Sequence, residues 1–286
     1  MSPVRPPSPA VSPTSPVPVA PAVSPRRGAP RAWAGLAPGV RDWLVRAGTL
    51  VVLLTVWQQV AQRTPAAILP TPARVAGAAV ELAGGGELGR AWGETALQVA
   101  AAMVVAAVGG VGLGVLLGWY RPLDRLVSPV LGALFLTPRI ALVPLVALWF
   151  GLEDLAKIVL IVAFGFFEVF FTVRDGVRAL EASHVELARS YCVPRSRMLY
   201  AVVLPAARPY VLGGLRLGLL HALVGVVLAG FFLESSGIGG LIYTLGSAFR
   251  TAELIAALAS VMAVGLAVNV GLRRLELRLT PWQVAS

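Results

Sequence analysis

Residues 94–119 read ETALQVAAAMVVAAVGGVGLGVLLGW, and after Glu94 this stretch carries no charged side chain. A helix rises about 1.5 Å per residue, so about 20 apolar residues are enough to cross the hydrocarbon core of a bilayer. Gly110, Gly114 and Gly118 recur at every fourth position and form a flat seam on one helix face. The stretch therefore predicts a membrane-spanning helix that packs closely against a neighbour along this seam.

Five further stretches share this apolar character, and we predict that each spans the membrane: residues 44–61, 127–149, 155–173, 211–233 and 253–272. Of the whole chain, 57% is hydrophobic and 13% is charged. This apolar excess is larger than one soluble core needs. The predicted fold class is an all-α membrane protein, with about six transmembrane helices in a bundle formed by residues 41–286.

The N-terminal segment differs sharply from the rest of the chain. Residues 1–30 hold ten of the 22 prolines, and proline removes a backbone donor and fixes φ. We therefore predict that residues 1–40 are a disordered Pro-rich cytoplasmic tail. The tail lacks the apolar core of a signal peptide, so we expect no cleavage.

The distribution of Lys and Arg predicts the orientation of the bundle. With six spans and the N-terminus inside, the inner segments hold 17 of the 24 basic residues. This bias places both termini in the cytoplasm by the positive-inside rule. It also explains the net charge of +10 without nucleic acid, which we do not expect as a partner.

The third span, 127–149, contains Pro138 and Pro144, and proline inside a helix produces a kink. We predict that this kinked span lines a pore. Arg139 beside the kink either attracts an anion along the pathway or pairs with Glu168 of the fourth span. The depths of the side chains favour a pair between Glu168 and Arg216 instead, which would leave Arg139 free.

The fifth span, 211–233, has a second seam, made of Gly214, Gly218, His221 and Gly225. On such a seam we expect His221 to hydrogen-bond between helices rather than relay protons. We predict that His221, Pro138 and Arg139 line the translocation pathway.

Three features lie toward the predicted outer side. Lys157 is expected to snorkel to the surface. Glu153 and Asp154 are expected to be a solvated acidic corner, with contact to a binding protein as the alternative. The glycine-rich stretch 233–250 is either a gate or re-entrant element or an ordinary turn.

Residues 174–209 form a basic segment that is too polar for lipid. Leu187, Tyr191 and Leu199 recur at spacings typical of one-sided short helices. Short amphipathic helices on the cytoplasmic side would suit docking to a soluble partner. We therefore predict a coupling loop over 174–209.

This segment resembles the cytoplasmic signature of the inner-membrane permeases of bacterial binding-protein-dependent ABC importers. Their signature is Glu-Ala-Ala, three residues, Gly, nine residues, Ile, one residue and Leu-Pro. Here the matching positions are Glu186-Leu187-Ala188, Cys192, Val202 and Leu204-Pro205. Cys192 replaces a glycine, so either the turn uses negative φ or the docking geometry differs.

The resemblance runs over about residues 68–280 and looks closest to the branch that imports nitrate, aliphatic sulfonates, taurine, bicarbonate or thiamine precursors. It implies a multi-pass permease of the bacterial cytoplasmic membrane that translocates a small anion such as a sulfonate, taurine or nitrate. The implied partners are a cytoplasmic ATPase, an extracytoplasmic solute-binding protein and a second permease copy, as a homodimer in the bilayer. The ATPase-coupling residues it implies are Glu186, Leu187, Ala188, Arg189, Cys192, Leu204 and Pro205.

The ATPase subunit would bind and hydrolyse the ATP. We expect no cofactor or metal on this chain and no enzymatic activity, because it has one Cys, two His and one Lys, Lys157, and no Gly-rich loop that ends in Gly-Lys. The alternative function is an ion-gradient-driven secondary transporter. Such transporters are usually built from inverted repeats with broken helices, and no such repeat is evident in the sequence.

Overall fold

The computed structural model of the chain describes residues 38–190, 194–233 and 236–279. Within these ranges the chain is helical, and no β-strand occurs. The α-helices are α1 (Pro38–Gln62), α2 (Pro72–Gly84), α3 (Glu87–Trp119), α4 (Arg121–Leu136), α5 (Val143–Phe150), α6 (Asp154–Ser190), α7 (Arg195–Met198), α8 (Leu204–Phe232), α9 (Gly237–Ser247) and α10 (Thr251–Leu279).

Among these residues, five helices are long and apolar enough to cross a membrane, and the count is six when the bent pair α4 and α5 is one span. The prediction of an all-α membrane protein with about six transmembrane helices is confirmed.

The chain divides into two compact units, residues 1–53 and 54–286. In the first unit, the structure describes Pro38–Leu53, the first part of α1, and residues 1–37 of the predicted tail lie outside the described residues. In the second unit, a hydrogen bond links the end of α1 to the segment between α1 and α2. The Trp57 indole N–H donates to the Pro70 carbonyl oxygen at 3.1 Å.

The predicted glycine seam of α3 packs against α6. A Cβ added to Gly110, Gly114 or Gly118 would lie 2.9, 2.9 or 2.8 Å from the Cβ of Val169, Val173 or Val177, respectively. Glycine is needed there because any side chain would push the two helices apart. The contacts advance together along both chains, so α3 and α6 run parallel.

The second predicted seam, on α8, also packs against α6, and Val169 of α6 lies against both seams. A Cβ on Gly218 would lie 2.7 Å from Val169 Cγ2 and 2.9 Å from the Gly165 carbonyl oxygen, and Gly225 faces Phe164. The order of contacts is reversed, so α8 runs antiparallel to α6. α6 therefore packs closely against both α3 and α8.

The third predicted span is broken rather than kinked. α4 ends at Leu136, a 3₁₀ turn covers Arg139–Leu142, and α5 leaves at 89° to α4. Thr137 is extended, with φ −66° and ψ 131°, because the ring of the following proline disfavours the helical conformation. Pro138 also supplies no N–H to continue the ladder.

Two helices were not predicted. α2 lies in the stretch between the first two spans and buries Val75, Ala78 and Leu82. α9 occupies most of 233–250, where the sequence favoured a gate or a turn. The alternative of an ordinary turn is wrong, because α9 is a packed helix. Gly239 and Gly240 are buried within this helix and do not break it.

The predicted coupling loop is also more helical than expected. Residues 174–190 continue α6 without interruption, and residues 191–193 lie outside the described part. The four-residue α7 and a π-helical turn over Leu199–Val203 lead into α8, which begins at Leu204. The helix continues through charged residues because this end lies beyond the predicted span and needs no apolar surface. A search for apolar stretches does not detect such an extension.

Candidate functional site

A charge cluster lies where the broken span meets α6 and α8. It consists of Arg139 at the start of the 3₁₀ turn, Glu168 on α6 and His221 on α8. The side chains of Arg139 and Glu168 are 10% and 18% exposed. Ionisable side chains this deep in a bundle are costly unless they are paired, so they mark candidate functional positions.

Arg139 is held by several partners on α6. Its Nη2 lies 3.5 Å from Glu168 Oε1, and its Nη1 donates to the Phe164 carbonyl oxygen at 3.2 Å. Its guanidinium also lies 5.0–5.6 Å from the ring centres of Phe135, Phe164 and Phe167, within the range of cation–π attraction. The predicted alternative of an Arg139–Glu168 pair is confirmed.

The favoured Arg216–Glu168 pair is wrong. Arg216 Nη1 lies 3.4 Å from Glu276 Oε2 on α10. Because Gly214 and Gly218 face α6, Arg216, which lies between them in the sequence, points away from α6. Depth along the membrane normal placed the two charges at similar heights but did not account for the rotation of α8.

His221 lies between its own helix and Glu168. Its Nδ1 lies 3.1 Å from the Leu217 carbonyl oxygen, which can only accept, so Nδ1 is the donor. Its Nε2 lies 3.6 Å from Glu168 Oε1, too far for a hydrogen bond. The expected hydrogen bond between helices is therefore not formed, and His221 makes a longer contact with Glu168 instead.

A second cluster joins the start of α4 to α6, and the sequence analysis did not identify it. Arg174 Nε donates to Asp124 Oδ1 at 2.5 Å, and its Nη2 donates to Oδ2 at 3.3 Å. Arg178 and Ser128 donate to the same carboxylate. The sequence carries one signal for this cluster: Arg174 and Arg178 are four residues apart, which places both on one face of a helix. The prediction of a loop over 174–209 hid this signal.

A third cluster lies at the opposite end of α6. Lys157 is 4% exposed and donates to Asp154 Oδ1 at 3.0 Å and to Ser236 Oγ at 3.2 Å. The snorkelling prediction is wrong, because the N-terminal end of α9 covers Lys157. Asp154 is exposed, but its carboxylate accepts hydrogen bonds from Lys157 and from Gln98. It is therefore held in place more firmly than the predicted solvated corner would be.

The N-terminus of α9 belongs to this third cluster. The Gly237 N–H donates to Glu94 Oε2 at 2.7 Å, and the buried Ile238 N–H donates to Thr95 Oγ1 at 2.8 Å. Both acceptors lie on α3, so α3 satisfies the first free N–H groups of α9. Gly237 has φ +81°, which glycine adopts at little cost.

The predicted coupling residues are divided between two helices. Glu186, Leu187, Ala188 and Arg189 lie in the last turns of α6, whose backbone the structure describes there. Leu204 and Pro205 open α8. Cys192 lies outside the described residues. The part of the chain that the structure describes contains no group of three or more His, Cys, Asp or Glu side chains suited to a metal.

Comparison with known proteins identifies the family. Residues 110–281 match the family described as the binding-protein-dependent transport system inner membrane component. This match covers more than half of the chain and includes the coupling segment, the first two charge clusters and part of the third. The chain belongs to this family.

The relatives of this permease agree. The taurine transport system permease protein TauC of Escherichia coli (strain K12) is 31% identical over 242 residues, which cover 82% of this chain and 88% of TauC. The putative aliphatic sulfonates transport permease protein SsuC of Bacillus subtilis (strain 168) is 31% identical over 234 residues, 81% of this chain and 85% of SsuC.

A solved structure of the MetNI methionine ABC transporter, described as inward facing, matches this permease with a TM-score of 0.60. The match covers 68% of this chain and 96% of that chain at 19% identity. At this identity the likeness shows the shared fold. The predicted ABC-importer permease fold is confirmed.

The chain is therefore an integral inner-membrane transport subunit rather than an enzyme. As a member of this family it works with an ATPase and with a solute-binding protein. Neither the family match nor the relatives favour the alternative of an ion-gradient-driven secondary transporter.

Proposed function

We propose that two copies of this permease form the pathway of an ATP-driven importer for a small anion of the sulfonate or taurine class. The names of TauC and SsuC support this solute class. A homodimer is the arrangement that the family resemblance implies. ATP is bound and hydrolysed by a separate subunit, and the binding protein delivers the solute from outside.

Both termini lie in the cytoplasm in this proposal. An even number of crossings returns the chain to its starting side, and the predicted inner segments hold 17 of the 24 basic residues. The helix directions support the same topology, because α3 and α6 run parallel while α8 runs antiparallel to both.

The length of α6 is the observation that carries the proposed coupling role. α6 has 37 residues, which makes it about 55 Å long, whereas the hydrocarbon core is about 30 Å thick. Its apolar stretch ends at Val173, and the charged residues Arg174, Asp175 and Arg178 follow. The remaining turns, with Glu186, Leu187, Ala188 and Arg189, then project into the cytoplasm, where the ATPase can bind them. The proposed ATPase-binding segment also includes Cys192 and, at the start of α8, Leu204 and Pro205.

The translocation pathway is proposed to pass the broken span at Pro138, Arg139 and His221. The break exposes backbone that a continuous helix would satisfy, and such breaks are tolerated where they line a cavity. The His221 side chain is 44% exposed, so it is available to a passing anion. Arg139 contributes positive charge near the path while Glu168 holds it in place.

The decisive experiment is charge reversal in the projecting turns. The permease, its ATPase and the binding protein are reconstituted in proteoliposomes, with Glu186→Lys compared with wild type. We expect normal insertion, reduced binding of the ATPase and loss of uptake, because the reversed charge opposes the docking surface. Native mass spectrometry of the wild-type complex is expected to show two copies of the 29.9 kDa chain.

Glu87→Lys is the matched control, because Glu87 is an acidic residue at the start of α3, at the opposite end of the bundle. This variant should retain uptake. Normal uptake by Glu186→Lys would refute the coupling role, and uptake by the permease alone without any ATPase would refute the whole proposal.

A further inference from the structure

α4 is attached to the bundle in an unusual way. Of its sixteen residues, all of which the structure describes, Asp124 alone is buried. Its large apolar side chains, such as Leu126, Val130 and Leu136, are mostly exposed. A membrane helix can leave its apolar side chains to the lipid, and the side chain that α4 buries against the bundle is a carboxylate.

The first attachment is the Asp124 clamp, which we define as Asp124 with Arg174, Arg178 and Ser128. Asp124 is 3% exposed, and both of its carboxylate oxygens accept hydrogen bonds from arginines of α6. The Ser128 hydroxyl, one turn along α4, adds a bond of 2.5 Å to Oδ1. The carboxylate is therefore fully used, and a bidentate arginine fixes its orientation as well as its position.

The second attachment lies just beyond the other end of α4. There Arg139 pairs with Glu168 and with the Phe164 carbonyl oxygen of α6. Between the two attachments, Phe135 contacts the rings of Phe167 and Phe171 at 6.0 and 5.0 Å. α4 is thus tied to α6 at both ends, with the acidic partner on α4 at one end and on α6 at the other.

From this arrangement we infer that the Asp124 clamp transmits movement of the projecting end of α6 to the broken span. The inference rests on the proposed docking of the ATPase at Glu186. Arg178 lies eight residues before Glu186, about 12 Å along the helix axis. A continuous helix carries a displacement over this distance, and the clamp passes it to α4 and then to the break at Thr137–Leu142.

The clamp makes Asp124 and Arg174 positioning residues for transport. Loose packing elsewhere on α4 is what gives the clamp this role, because a helix buried along a broad face would follow α6 without it. The Arg139 pair holds the far end of α4, so the two ends move together.

The test is the number of taurine molecules imported per ATP hydrolysed in proteoliposomes that contain the full importer. For Asp124→Asn we expect normal insertion and ATPase binding with a ratio reduced about tenfold, a size typical of coupling between sites. The double variant Asp124→Arg/Arg174→Asp inverts the pair at constant net charge and is expected to restore part of the ratio, because Arg178 then faces a like charge. A purely structural carboxylate would change the yield of folded protein but not this ratio.

Glu253→Gln is the matched control, because it removes an exposed pair with Arg250 at the opposite end of the bundle, and its ratio should equal that of wild type. If Asp124→Asn does not insert, Arg178→Gln loosens the clamp at its more exposed arginine, 34% exposed, and should lower the ratio in part. An unchanged ratio in the inserted variant would overturn the inference, as would a charge-swapped pair that folds without restoring it.

The outcomes separate this inference from the proposed function. Loss of ATPase binding in every preparation, wild type included, would refute the proposed function. Intact binding with an unchanged ratio refutes the clamp alone. If the wild type imports no taurine, the solute class is wrong. The clamp is then tested by how strongly the binding protein stimulates ATP hydrolysis. Asp124→Asn should lose this stimulation, and an undiminished stimulation would overturn the inference.

Discussion

At the scale of single residues, three charges with little exposure in the described part of this permease each lie against a specific partner. Arg139 pairs with Glu168, Asp124 with Arg174, and Lys157 with Asp154. An unpaired charge in this environment would be expensive, whereas a paired one contributes little net stability. The first two pairs join α6 to the broken span and to α4, and Lys157 reaches the start of α9 through Ser236. These contacts therefore specify which segments meet and at which rotation.

The role of Arg139 can be tested by comparing it with the other arginine inside a span. Arg139→Met removes the partner of Glu168 and should cost roughly 3 kcal/mol of stability, measured by unfolding in detergent. Uptake per folded molecule should also fall, because the positive charge near the path is lost. Arg139→Lys should retain part of the uptake, since it keeps the charge without the planar contacts to the phenylalanine rings.

Arg216→Met is the control for Arg139, because Arg216 pairs with Glu276 away from the proposed path. It should lose stability but keep uptake per folded molecule. Anion import by Arg139→Met at the wild-type rate would remove Arg139 from the pathway and leave it a structural latch.

The glycine seam of α3 offers a prediction with a control on the same helix. Gly114→Ala places a Cβ 2.9 Å from Val173 Cβ and 3.0 Å from the Phe170 carbonyl oxygen. The overpacking should cost about 1–3 kcal/mol. At Gly112 a Cβ meets nothing within 4 Å, so Gly112→Ala should be neutral or slightly stabilising. Thermal unfolding in detergent measures both, and equal midpoints for the two variants would contradict the seam.

At the scale of elements, α9 is held by α3 through its first N–H groups. Thr95→Val preserves shape but leaves the buried Ile238 N–H without its acceptor. We expect a loss of about 1–3 kcal/mol and faster hydrogen exchange over Gly237–Ser247. Faster exchange confined to this helix would show that the contact with Thr95 holds α9 in place.

Thr244→Val is the control within α9. The Thr244 hydroxyl donates to the Gly240 carbonyl oxygen of its own helix, so its removal leaves no orphaned N–H and should change exchange little. Identical exchange in wild type and Thr95→Val would show that α9 does not depend on α3.

At the scale of the whole molecule, the proposed solute class predicts the behaviour of the partner binding protein. Purified binding protein is expected to gain thermal stability with taurine or an alkanesulfonate, because binding to the native state raises the melting temperature by mass action. Nitrate and thiamine precursors serve as comparison ligands. Stabilisation by a thiamine precursor alone would contradict the sulfonate assignment and leave the permease role intact.

The sequence by itself determined that this is a helical membrane protein with about six spans, and its coupling motif pointed to the family. Both are local properties: a span is recognised from the length and polarity of one segment, and the motif from fixed spacing between Glu186 and Pro205. The seams of α3 and α8 were also readable, because helical periodicity assigns glycines to one face without knowledge of the neighbour.

The tertiary structure alone decided which charges pair, how sharply the third span breaks and how α9 packs. Depth along a span follows from residue number, but helix rotation and the identity of the neighbour do not, so Glu168 was assigned to Arg216 instead of Arg139. Asp124 went unnoticed for the same reason. Its partners lie 50 and 54 positions along the chain, and only the packing of α4 beside α6 brings them together.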